Sequence, residues 1–147
     1  MSIKEQLAND MKEAMKAKEK ERLAVIRMVR GAIRQQEIDG KTELDDEAVI
    51  AVISKEVKMR KDSIVDFQKG GRDDLVAQNE AEIAFLMPYL PKQLTEGEVR
   101  ELVKEAVEKT GASSPKDMGK VMGALMPKVK GRADGKMVNQ LVKEALN

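Results

Sequence analysis

The chain has 147 residues, 41% of them hydrophobic and 36% charged, with a formal net charge of +1. That balance supports a folded core under a heavily solvated surface, and near-neutrality leaves the distribution of charge, rather than its sum, to point at partners. With no Cys and no His, the chain can form no disulfide and offers neither thiolate nor imidazole for catalysis or metal binding.

Aromatic residues make up only 2%, so Val, Leu, Ile and Met must fill the core. This aliphatic, Glu/Lys-rich composition favours helices over sheets. No apolar run reaches membrane-spanning length and no secretory apolar stretch follows Met1-Ser2, so a cytoplasmic protein without a membrane partner is expected.

Ser2 and Glu5 predict a capping box that opens the first helix, with Ile3, Leu7, Met11, Ala14 and Met15 on its apolar face. A second helix is predicted to about residue 38, with Leu23, Ile26, Val29 and Ile33 as its stripe and Asp39-Gly40 as its stop. Arg27, Arg30 and Arg34 form a basic stripe on this helix. Ion pairing with a neighbouring acidic helix is the simpler expectation for them; phosphate binding is the alternative.

Asp45 is placed as the N-cap of a long third helix whose buried face runs from Val49 through Ile53, Val57 and Ile64 to Phe67. Gly70-Gly71 stops it. Its cluster Lys58, Arg60 and Lys61 is expected to be neutralised by Asp62 and Asp66. Asp73 or Asp74 caps a fourth helix that turns Leu75, Ala77, Ile83, Leu86 and Met87 inward. Pro88 and Pro91 then interrupt the helical pattern. The organisation read from this is an N-terminal four-helix region at 1–87, a Pro-containing linker at 88–94 and a C-terminal three-helix unit at 95–147, all-α throughout.

In the second half, Thr95 and Glu98 predict another capping box. Ser114-Pro115 marks a helix start, Pro127 is expected to limit that helix, and a last helix begins near Asp134. Met118, Met122 and Met126 recur every four residues and read as a core stripe. Gly119 and Gly123 lie on an adjoining face, where the missing side chains let a backbone come close. Residues 115–147 carry 7 basic and 3 acidic side chains, whereas 41–94 carry 8 basic and 11 acidic. Lys120, Lys128, Lys130, Arg132 and Lys136 fall in the basic part, the last four around Gly131 just before a helix start. Cations beside unsatisfied helix-terminal amides suit phosphate. Without interleaved aromatics, backbone recognition of a folded RNA fits better than stacking on single strands.

Catalytic motifs are not in evidence. There is no GxxxxGK[ST] phosphate loop. Ser63 has no His to activate it, and Asp73-Asp74 reads as a helix start rather than a metal site. No catalytic residue, metal ligand or cofactor is assigned.

The run GASSPKDMGKVMGALMPKVKGRADGKMVNQLVKEAL resembles the C-terminal signature of the GatB/YqeY family. KEVKMRKDSI, FQKGGRDDLV and YLPKQLTEGEV are similar to the free-standing YqeY-type proteins of bacteria. The similarity spans essentially the whole chain. In the larger family this helical module is the tail of the B subunit of the glutamine-dependent aspartyl/glutamyl-tRNA amidotransferase, where it contacts the tRNA body. The resemblance implies an all-helical fold and a tRNA, a tRNA synthetase or an amidotransferase subunit as partner. Matched to the motif, Lys120, Lys128, Lys130, Arg132 and Lys136 are the candidate tRNA contacts, and Gly119, Gly123 and Gly131 permit approach. The family association is with carbon–nitrogen ligase activity using glutamine as amido donor. The amidotransferase's catalytic cradle is missing from this chain, so no activity is expected of it alone. A helical protein-interaction adaptor, or a component that completes such a ligase, are the competing expectations.

Overall fold

The computed structural model describes all 147 residues and contains seven α-helices and no strand. The chain is therefore all-α. It divides into two compact units, Met1–Leu90 and Pro91–Asn147.

The first unit holds α1 (Ile3–Lys16), α2 (Lys20–Gly40), α3 (Asp46–Lys69) and α4 (Asp73–Leu86), closed by a 3-10 turn at Met87–Tyr89. Ser2 Oγ accepts from the Glu5 amide at 3.1 Å and starts α1, while Asp45 accepts from the Ala48 amide at 2.9 Å and starts α3. Asp46 takes the Ile3 amide at 3.0 Å and so ties the beginnings of α1 and α3 together. α1 packs on α2 and α3 on α4, with α2 touching both helices of the second pair. Leu7, Ile26, Val29, Val49, Ile53 and Leu86 are the fully buried centre. Tyr89 donates its hydroxyl to Asp10 and seats the closing turn on α1.

Several expectations for this unit are corrected. Gly40 stays helical, and Lys41 takes the left-handed conformation at φ 50°. Arg72, not Asp73 or Asp74, is the N-cap of α4, and the two aspartates occupy its first turn. Ala77 is exposed, and Ile64 and Phe67 are only half-buried, because the α3–α4 pair runs on past the core that α1 and α2 cover. Arg60 is buried and pairs with Glu56 at 2.9 Å and Glu82 at 3.1 Å rather than with Asp62 or Asp66. Arg27, Arg30 and Arg34 take part in none of the ion pairs of this unit.

The second unit holds α5 (Glu96–Thr110), a 3-10 turn at Pro115–Asp117, α6 (Met118–Val129) and α7 (Gly135–Leu146). A complete capping box, Thr95 with Glu98, opens α5, and Gly111 closes it at φ 68°. Val99, Val103, Val121, Leu125, Val129, Val138 and Val142 meet in one core. Pro91 to Leu94 are fastened to the turn after α6. Gln93 Nε2 donates to the Gly131 carbonyl at 2.9 Å, the Leu94 amide to the Arg132 carbonyl at 2.7 Å, and Arg132 Nε to the Lys92 carbonyl at 3.2 Å.

Candidate nucleic-acid interface

Helix α6 buries Val121, Leu125 and Val129, which recur every four residues and face α5 and α7. At about 100° per residue, Gly119, Gly123, Met126 and Pro127 fall on the opposite side, and all four are exposed. Met118 and Met122 are half-buried against the core, but Met126 is 41% exposed. The methionine stripe is thus only partly core, since Val121, Leu125 and Val129 already fill the inward face.

An ideal Cβ built at Gly119 or Gly123 meets nothing within 4 Å. Neither glycine is there to let a helix of its own unit approach. Pro127 does not end α6, which continues to Val129. Lacking an amide proton, Pro127 leaves the Gly123 carbonyl without the usual donor one turn on. The outward side of α6 therefore offers bare backbone and a carbonyl acceptor.

The five predicted cations are distributed around this helix and the turn after it. Lys120 lies beside the glycines, with Nζ 4.0 Å from Asp117. Asp117 also accepts the Ser113 amide at 3.0 Å, and that bond, ahead of the nearby Lys120 charge, holds its carboxyl below the usual range. Lys128 leans toward α5, its Nζ 3.8 Å from Glu105. Lys130 is the exposed C-cap of α6. Gly131 follows at φ 73°, a conformation that favours glycine, and turns the chain. Arg132 is half-buried and committed through Nε to the Lys92 carbonyl. It also adds to the field that lowers the Glu98 carboxyl, whose main cause is the Thr95 amide.

Lys136 sits exposed in the first turn of α7. Its amide is taken by the Asp134 carboxylate at 3.1 Å. The α7 N-terminus is therefore already capped by an anion, and the phosphate seat expected there is not open. The structure brings Lys120 together with Gly119 and Gly123, and Lys130 together with Gly131 and Arg132. It sets Lys128 on the α5 side and Lys136 across the turn. Sequence reasoning missed the role of Arg132 because its partner is a backbone carbonyl 40 residues away. It also missed that the Gly123 carbonyl lacks its helical donor, for which Pro127 at the fourth following position was the available signal.

A profile of the YqeY-like family matches residues 4–146. The chain belongs to that family. Relatives include three fungal proteins named altered inheritance of mitochondria protein 41, mitochondrial. The one from Pyrenophora tritici-repentis is 34% identical over 95% of this chain and 78% of its own length. The Vanderwaltozyma polyspora protein is 33% identical over 76% and 64%, and the Kluyveromyces lactis protein 42% over 56% and 45%. The matched region of this YqeY-like chain thus spans from under half to about three quarters of these relatives. No helix of the chain is long and apolar enough to cross a membrane.

Proposed function

We propose that this YqeY-like chain is a non-catalytic accessory module that binds tRNA, alone or beside a tRNA-handling enzyme of the cytoplasm. The observation that carries the reading is the outward face of α6, where two glycines leave the backbone uncovered between Lys120 and the Lys130–Lys136 turn. A ribose-phosphate backbone needs close approach, cations for its phosphates and an acceptor for its 2′-hydroxyl. The face supplies the first at Gly119 and Gly123, the second at Lys120, Lys130 and Lys136, and the third at the Gly123 carbonyl. The resemblance to the amidotransferase B-subunit tail points to the same partner.

The test is binding of folded tRNA to the whole chain as a function of salt. Lys120→Glu, Lys130→Glu and Lys136→Glu together should weaken binding and reduce the log–log salt slope by about two to three. Arg132 is left in place because it holds the Lys92 segment. An unchanged affinity and slope would remove the site.

Met126 favours a second reading, a protein adaptor, because a large apolar side chain is 41% exposed next to the glycines. Under it, a partner helix packs on the Gly119/Gly123 strip, and Met126→Glu abolishes that association without altering tRNA binding. A third reading, as a component of a glutamine-dependent carbon–nitrogen ligase, requires that the chain stimulate amidation of misacylated tRNA by the other subunits.

A further inference from the structure

Arg27, Arg30 and Arg34 sit three and four residues apart along one edge of α2, a span of roughly 10 Å at 1.5 Å per residue. None of them has a carboxylate partner within ion-pair distance. Arg30 reaches across toward α1, and its Nη1 lies 3.0 Å from the sulfur of Met11. A thioether is a weak acceptor, so that guanidinium is held in place with its charge unanswered.

The three arginines line a groove of about 360 Å³ between α1 and α2. That volume is within the roughly 300–1,000 Å³ usual for small-molecule sites. Its floor is apolar: half-buried Met11 forms the accessible part, with buried Leu7 and Ile33 beneath it. One end is closed by Lys4 and Glu37, paired at 2.8 Å. Glu37 is further occupied by the Leu44 amide at 2.9 Å. Within the groove the Lys4 and Glu37 charges cancel, and three guanidinium charges remain. Gly31 is also in the lining, and a Cβ there meets nothing within 4 Å.

We propose that this groove binds an organic diphosphate, with the phosphates on Arg27, Arg30 and Arg34 and the organic body against Met11 on the apolar floor. Guanidinium forks match phosphate oxygens in pairs. Three forks over roughly 10 Å exceed what one carboxylate or one phosphate can satisfy. The Lys4–Glu37 stopper puts a carboxylate where a continuing nucleic-acid backbone would have to pass, which favours a small molecule over a polymer. The aliphatic floor adds binding that an inorganic anion cannot use. This site lies in the N-terminal unit and does not depend on the α6 face.

The experiment is a titration of the whole chain followed by amide and methionine-methyl NMR, with pyrophosphate, ADP and isopentenyl diphosphate as separate probes. Pyrophosphate tests the head alone; the other two distinguish a planar from an alkyl body. The expected result is saturable shifts at the Gly31 amide and the Met11 methyl, with at least one organic diphosphate binding about tenfold or more tighter than pyrophosphate. Arg27→Gln, Arg30→Gln and Arg34→Gln together should cost at least about another tenfold, equivalent to about 1.4 kcal/mol. Gly31→Leu, which fills the groove and keeps every arginine, should weaken binding similarly and leave the rest of the spectrum in place. The proposal is overturned if neither organic diphosphate saturates, if both variants bind like the parent, or if folded tRNA shifts these resonances and the diphosphates do not.

Discussion

Replacing Gly119 and Gly123 by Ala isolates what the α6 face is for. Both positions are helical, exposed and open to a Cβ, with nothing within 4 Å. On folding alone each glycine costs helix stability, so each Ala should stabilise by about 0.5–1 kcal/mol, and the pair by about 1–2 kcal/mol if the sites act independently. For a unit the size of Pro91–Asn147, 1 kcal/mol corresponds to about 4–8 °C in melting temperature. The double variant should therefore melt at least about 4 °C higher by circular dichroism. The fluorescence of Tyr89, the single tyrosine, reports separately on the other unit. The same variant should bind tRNA more weakly than the parent, since two methyl groups now stand where the backbone was bare. A lower melting temperature would show that the space is not open and refute the reasoning at its base. Higher stability with unchanged tRNA binding would leave the glycines unexplained by approach of RNA.

Two further outcomes test the first unit. Arg60→Ala leaves Glu56 and Glu82, which sit 2.9 and 3.1 Å from its guanidinium, facing one another without a cation. Loss of one partner from a buried pair costs about 3–5 kcal/mol, so the urea midpoint read by Tyr89 fluorescence should fall by about 1.5–2.5 M at an m-value near 2 kcal/mol/M; a fall below about 0.5 M on that scale would mean the network is not stabilising. Glu37→Gln addresses pH. The Lys4 ammonium, and next the Leu44 amide, hold the Glu37 carboxyl below its ordinary value of 4.5. Its contribution is therefore complete above pH 4.5 and is lost as pH falls through the lowered folded value. The variant should show lower stability than the parent at neutral pH, and the two should converge in acid. Parallel curves would show that the pair contributes nothing.

The helices were legible because their signals are local. Ser2, Asp45, Thr95 with Glu98 and Asp134 each act within a turn of where they stand and cap the helices they were read to open, although at Ser2 only the serine half of the expected box with Glu5 forms. Apolar periodicity located the core for the same reason. Errors arose where a residue's fate depends on distant parts of the chain. Phe67 carries the right spacing, but burial at its end of α3 depends on whether α1 and α2 reach that far. The arginine stripe of α2 was read against an acidic neighbour that sequence proximity suggested and packing did not provide. Met126 fits the methionine period, yet the inward side of α6 was already filled by valine and leucine. The glycine strip was visible as composition. That its space is empty could be learned only from the fold.

Arg132 has one further property, set by its hydrogen bonds. Its Nε is fixed to the Lys92 carbonyl, while its own backbone carbonyl and that of Gly131 hold Leu94 and Gln93. Much of its rotamer freedom, which for an unrestrained arginine is up to about 2 kcal/mol, is already lost before any partner arrives. An anion that meets its two terminal nitrogens encounters a preorganised fork and leaves Lys92 where it is. An anion that takes the Nε edge must instead displace that carbonyl and release residues 92–94. The two modes of approach thus have opposite effects on the order of this short segment, and hydrogen exchange at Leu94 would tell them apart.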